Sequence, residues 1–432
     1  MTASAPWLVR RLFPLLATIG LLAVGMISTT WWGAHLVDKT SWQLPHDLWG
    51  TLLAARRLLH LDPGGLYTQP TGLVSLPGAA LILVPIVALI DVAGVGLGVP
   101  GAQNTHPTAW LFAGPYEIAL SALALLAADS LAERLGVTRP KRALLAAAAA
   151  VALWSVSVRW GHPEDAVAVA LFLFGIAKLA DSRVAWSAWL VGAAICVQPL
   201  VLLAVPVLLV TIEPRRLAGY LGRAAAPSAL LLGVAAAANW NATYAAITSQ
   251  PNWPATDHTT PFTSLAPHLS GGAVAAGPAR VVVIFLAVCC ALVLQRQWHA
   301  PRDAPLSAEV LEELLWWVAV ALTLRCVFEP VMTPYYLWPV LAVGLIAASR
   351  SWSRLVPTSL VASAVTFVSQ ASWHGPWLWW GSAVGGLVLA LVLSYNRGPK
   401  PRGVAAGAGS LRVAGFSMDP RRPATPHGSH ET

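Results

Sequence analysis

Charge is scarce in this chain: Asp, Glu, Lys and Arg make up 11% of its 432 residues, against 56% hydrophobic. Such a composition cannot wet the surface of a soluble globule, so that class is excluded. Cysteine is scarce too, and Cys196, Cys289, Cys290 and Cys326 all fall inside apolar runs without metal-ligand spacing. Neither a disulfide framework nor a zinc site is expected from them. Outside a loop at 241–278, no polar segment is long enough to bury a core of its own. The net charge of +8 comes from lysines and arginines scattered singly or in pairs, which argues against a nucleic-acid partner. No repeat relates the two halves of the chain.

What is present is a succession of apolar runs. The first, 13–32, follows Arg10 and Arg11 and has about the ~20 residues a helix needs to cross a bilayer. Without a small-residue cleavage site it reads as an uncleaved anchor with its amino terminus in the cytoplasm. Further spans are expected at 110–130, 143–158, 166–180, 184–197, 199–212, 223–240, 279–294, 310–328, 334–348, 355–370 and 377–395. The apolar stretch 73–97 holds Pro77, Pro85 and Asp91 and makes a poor lipid-exposed crossing. Counting it as one would also put Arg134, Arg139, Lys141 and Arg142 outside. Read as a re-entrant or interfacial helix on the outer side, it leaves all but six of the 27 Lys and Arg in the cytoplasm. Lys39, Arg56, Arg57 and Arg159 then lie outside, while Arg280 and Arg325 sit at or in membrane helices, in keeping with the positive-inside rule. The result is twelve spans with both termini inside.

In that topology most of the unusual chemistry falls on the outer face: Asp47, His60, Tyr67, Arg159, His162, Glu164, Asp165, Asp257, His258, His268 and Glu329. The cytoplasmic loops read as plain connectors. Tryptophans at span ends, including Trp31, Trp32, Trp110, Trp160, Trp240, Trp338, Trp377, Trp379 and Trp380, are expected as interface anchors.

Three patches carry a resemblance. The first runs Asp47-Leu48, Ala54-Ala55-Arg56-Arg57-Leu58-Leu59, Leu66-Tyr67, Pro77 and Leu83-Val84-Pro85. The second is Trp160-Gly161-His162-Pro163-Glu164-Asp165, and the third Glu329-Pro330 followed by Pro334-Tyr335-Tyr336-Leu337. Together they resemble the multi-spanning GT-C glycosyltransferases that use polyprenyl-phosphate sugars, most closely a bacterial mannosyltransferase-like branch. The chain departs from that pattern where Trp49 or Thr51 stands for an aromatic after the acidic residue, and where Pro77-Gly78 replaces a double proline. The resemblance implies an all-α polytopic membrane domain over 1–395, GT-C-like, with about twelve transmembrane helices plus outer juxtamembrane or re-entrant helices. The first outer loop would span 34–109, and 396–432 would be a disordered cytoplasmic tail.

The implied activity moves a sugar, mannose first among candidates, from a polyprenyl-phosphate donor to an envelope glycolipid or glycan on the outer face of the plasma membrane. Asp47 would be the general base of an inverting displacement; on the residues alone it is also a good helix cap. Arg56 and Arg57 suit a phosphate, or equally lipid headgroups. Arg159 and Arg325 are further candidates, although Arg325 stands four residues before Glu329 and can pair with it. His60, Tyr67, Tyr335 and Tyr336 complete the substrate-binding candidates on the patches, and Glu117 is expected to face a cavity from the second span. His162, Glu164 and Asp165 suit acceptor orientation, a divalent cation or a polar turn; no cofactor is assigned and the cation stays open. His258 and His268 lie in a loop read as a cover over an acceptor groove. A transporter or flippase of lipid-linked sugars, or a catalytically silent scaffold, would need similar spans.

Overall fold

The computed structural model describes residues 6–27, 46–68, 71, 73, 75–97, 108–255, 257–298, 300, 302, 305–371 and 377–396. All of the described residues fall in one compact unit that ends at Asn396. The expected tail, the end of the first span and Trp31 and Trp32 lie outside the described residues.

The described unit is mostly helical. In chain order it contains α1 (Trp7–Arg10), α2 (Leu12–Ile27), α3 (His46–Leu59), α4 (Pro77–Leu81), α5 (Val84–Val92), α6 (Ala109–Ser121), α7 (Leu123–Arg134), α8 (Arg139–Trp154), α9 (Pro163–Ala180), α10 (Val184–Val197), α11 (Val205–Leu209), α12 (Pro214–Ala238), α13 (Trp240–Ser249), α14 (Gly277–Gln297), α15 (Ala308–Phe328), α16 (Trp338–Ala348), α17 (Trp352–Val368) and α18 (Leu378–Ser394). Four helical segments, Ala109–Arg134, Arg139–Trp160, Pro214–Ala238 and Gly277–Gln297, are long and apolar enough to cross a membrane. Shorter apolar helices include α2, α10 and α18. The stretch expected to be re-entrant forms α4 and α5, of 5 and 9 residues. At about 1.5 Å per residue, neither can cross a hydrocarbon core.

Helix ends follow local chemistry. Pro163 opens α9, with Glu164 and Asp165 in its first turn and Lys178 in its last, so charge complements the helix dipole at both ends. Helix α10 stops at Gln198 because Pro199 follows and disfavours helical backbone before it. The run expected at 199–212 is a 3-10 segment, Pro199–Ala204, leading into α11. The second expected span falls within the continuous segment Ala109–Arg134, where Ala122 marks a turn between α6 and α7.

Long segments run between two polar ends. At one end Arg10 and Arg11 meet Glu133, Arg11 and Arg142 meet Asp129, Arg134 meets Asp181, and Arg350 and Arg354 meet Glu312. At the other lie Asp47, His162, Gln198 and Glu329. Helices α9 and α16 are buried along most of their length, whereas α2, α14 and α18 leave many apolar side chains outward, such as Val281, Phe285 and Leu389. Trp110, Trp338 and Trp379 are buried, so they pack the interior instead of anchoring an interface as expected. Trp240 and Trp377 are exposed.

Helix α4 meets the end of α10 at very short range. A Cβ added to Gly78 would collide with the Cys196 carbonyl, so glycine here permits a contact no side chain would fit. Gly78→Ala is expected to cost about 1–3 kcal/mol, read as a lower thermal midpoint in detergent. An unchanged midpoint would show that the two elements do not approach so closely.

Candidate active site

The site is assembled from several elements that lie far apart in the sequence. Helix α3 carries Asp47 in its first turn and Arg56 and Arg57 in its last. A π-helical turn, Ser155–Trp160, ends α8, and Gly161 follows it with φ 66°, a left-handed conformation that glycine adopts at little cost. That turn sets His162 at the mouth of α9, its backbone N–H donating to the Val156 carbonyl at 3.0 Å. Such π turns concentrate at functional sites.

His162 is the centre of the arrangement. Its Nε2 lies 3.1 Å from Asp47 Oδ2 and its Nδ1 2.8 Å from Glu164 Oε1. The imidazole and Glu164 side chains are 9% and 6% exposed, that of Asp47 46%. One face of the imidazole stacks on Tyr335 at 3.9 Å between ring centres. With carboxylates on both nitrogens, each nitrogen donates, and the ring is an imidazolium. Burial by itself would lower the His162 pKa, but the Glu164 and Asp47 carboxylates outweigh it and hold the value well above the ordinary range.

Beneath the histidine the carboxylates are dense. Asp165 Oδ1 accepts from Gln198 Nε2 at 2.7 Å, and Ser75 Oγ bonds the Val197 carbonyl at 3.1 Å and approaches Gln198 Oε1 at 3.3 Å. Tyr67 donates to the Ser75 carbonyl at 3.2 Å, which ties its phenol to the segment that bonds Gln198. Burial raises its phenol pKa. Glu117 is fully buried on α6, and neither of its oxygens has a hydrogen-bond partner among the described residues. One oxygen each of Glu164 and Asp165 shares that condition. Ionisable groups so placed in an apolar helix mark a functional region.

A second cluster adjoins. Glu329, fully buried, pairs with Arg280 at 3.0 Å and with Arg325 at 3.8 Å, so the expected Arg325–Glu329 pair is present. The Arg325 guanidinium also lies 3.7 Å from the centre of the Tyr336 ring, a cation–π contact.

Other candidates stand apart. Arg56 Nε donates to Asp91 Oδ2 at 3.2 Å, with His60 Nε2 3.6 Å from the same oxygen, and Arg57 pairs with Asp62 at 3.0 Å. Arg159 is exposed beside the Trp160 ring. His258 stacks flat on Trp379 at 3.9 Å, and His268 is an exposed loop residue bridged to Val274. Gln198 and Arg280 were not among the sequence candidates; the only signal for Gln198 is a lone amide between two apolar runs. Among the described residues no three His, Cys, Asp or Glu side chains group as a metal site.

The pH dependence of the Asp47–His162 contact follows from its sign. A histidine whose folded pKa is raised adds stability that is complete below its unfolded value of about 6.5 and is lost as pH rises through the folded value. The thermal-midpoint gap between wild type and His162→Gln is therefore expected to be widest at about pH 6.5 and below and to close on the alkaline side. A gap independent of pH would contradict the imidazolium.

No protein-family model matches the chain, and no curated protein matches it.

Proposed function

We propose that this chain is a polytopic membrane glycosyltransferase that takes a sugar, mannose first among candidates, from a polyprenyl-phosphate donor and passes it to an envelope glycolipid or glycan on the outer face of the plasma membrane. The reading is carried by the Asp47–His162–Glu164 line: an open carboxylate at the rim, oriented by a buried imidazolium that a second carboxylate holds in place. Such a carboxylate can accept a proton from a bound hydroxyl.

In the proposed reaction the acceptor oxygen attacks the anomeric carbon and forms the new glycosidic bond. Its proton passes to Asp47, the bond from the anomeric carbon to the phosphate oxygen breaks on the opposite face, and the prenyl phosphate leaves with the electron pair. Growing charge on that phosphate needs cations. Arg56 and Arg57 are 43% and 44% exposed in their pairs with Asp91 and Asp62, and pairs this open hold together by only about 0–1 kcal/mol, so a phosphate can displace the carboxylates. Arg280 and Arg325 share one carboxylate, Glu329, and add positive charge to the same end.

Twelve crossings with both termini cytoplasmic fit the distribution of basic residues and the way successive long segments alternate between the two polar ends. The end rich in paired arginines would face the cytoplasm. The test is stereochemical. A prenyl β-phosphomannose donor is expected to yield an α-mannoside, read by digestion with linkage-specific mannosidases; a β-linked product would rule out a single displacement.

A further inference from the structure

We infer, building on glycosyl transfer as the reaction, that the turn carrying Trp253 and Asp257 is the acceptor-sugar subsite beside Asp47, with the carboxylate taking ring hydroxyls and the indole covering the ring's apolar face. The Asp257 N–H donates to the Trp253 carbonyl at 3.1 Å, closing one turn that presents both side chains. The indole is 45% exposed and the carboxylate half-buried.

This turn is held in place from both sides. Behind it, β1 (Pro251–Asn252) pairs antiparallel with β3 (Val274–Ala275). Ahead of it, β2 (His258–Thr259) pairs with β4 (Val331–Met332), with His258 opposite Met332, and Thr260 Oγ1 donates to the Glu329 carbonyl at 2.8 Å. That register sets Asp257 across from Thr333, two residues before Tyr335. Tyr335 stacks on His162, which holds Asp47. The loop carboxylate and the proposed base therefore stand on one rim.

The ligand class follows from the chemistry of the rim. Two carboxylates repel a phosphate or an anionic headgroup but accept from neutral hydroxyls, and hydrogen bonds to a charged acceptor are the strong ones. A sugar also offers an apolar C–H face, which an amphipathic indole can cover. Burial, and after it the Asp47 carboxylate, push the Asp257 carboxyl up to about 6, with His162 the facing cation that opposes the shift. The accepting form is thus present above that pH and lost below it.

Calorimetric titration of octyl α-mannoside, below its micellar concentration, into the full-length protein in detergent without donor tests this. Wild type is expected to bind, with Asp257→Asn and Trp253→Ala each weakening binding, the former by about 10- to 100-fold at pH 7.5. Wild-type affinity is expected to fall from pH 7 to pH 5 while that of Asp257→Asn stays flat. Equal affinity in wild type and Asp257→Asn, or no binding of octyl mannoside, glucoside or galactoside at millimolar concentration, would overturn the subsite. Saccharide binding without transfer from any prenyl-phosphate sugar would leave the subsite standing and remove the glycosyl-transfer reading instead.

Discussion

Asp47→Asn is expected to lower sugar transfer by about 10²–10⁴-fold while leaving the fold intact. The amide is isosteric with the carboxylate, so α3 keeps its shape and its packing through Leu48, Leu52 and Ala55, which are buried. What it loses is the oxygen that accepts the hydroxyl proton and one of the two charges that hold His162. The expected signature is a fall in the maximal rate with little change in acceptor binding, because the base acts as the hydroxyl loses its proton in the transition state. The comparison is made at matched purity, monodispersity and thermal midpoint. A variant that retains wild-type rate would move the base elsewhere, with Glu164, Asp165 and Glu117 the remaining carboxylates of the site.

The largest expected effect on stability lies at the opposite end. Asp129 is 3% exposed on α7 and meets Arg11 Nη1 at 2.6 Å and Arg142 Nε at 2.7 Å. Both guanidiniums are themselves 9% exposed. Arg142 also donates to the Arg10 carbonyl at 2.6 Å, so one carboxylate gathers the start of α2, the middle of α7 and the first turn of α8. Removing one partner of a buried pair leaves the other charge uncompensated, typically at about 3–5 kcal/mol. Asp129→Ala is expected in that range, read as loss of monodisperse protein and a lower thermal midpoint. Arg11 keeps Glu133 at 2.8 Å, so Arg142 is the group left exposed to the cost, and Asp129→Ala combined with Arg142→Met should recover part of the loss. Equal midpoints for wild type and Asp129→Ala would show that the cluster contributes no net stability.

Much of the helical layout was legible because apolar length and proline position are local signals. Helix α10 occupies the expected 184–197, and the segment expected to be re-entrant is two short helices broken by the Ile82–Leu83 turn before Pro85. The grouping at the site was legible in part. Asp47 was singled out in one patch and His162 and Glu164 in another, and the two patches meet at that histidine. Contacts made over long sequence separation were not legible. Arg10 and Arg11 read as a topology signal and Asp129 as part of a span, yet Arg11 and Asp129, 118 residues apart, form a buried ion pair. Gln198 carries no motif, and its role in tying Asp165 toward Ser75 depends on how α4 docks on α10. Arg56 read as open to a phosphate or a lipid headgroup because Asp91, 35 residues away, folds back on α3 in a way no local pattern shows, whereas Asp62 meets Arg57 within the turn that ends α3.

The central claim is that this molecule transfers a lipid-linked sugar instead of carrying it across the bilayer. Purified wild-type protein in proteoliposomes, supplied with radiolabelled polyprenyl-phosphate mannose and a glycolipid acceptor, separates the two. The account predicts label covalently joined to the acceptor and released from prenyl phosphate. Label that crosses the membrane still bound to prenyl phosphate, with no glycosylated product, would contradict it.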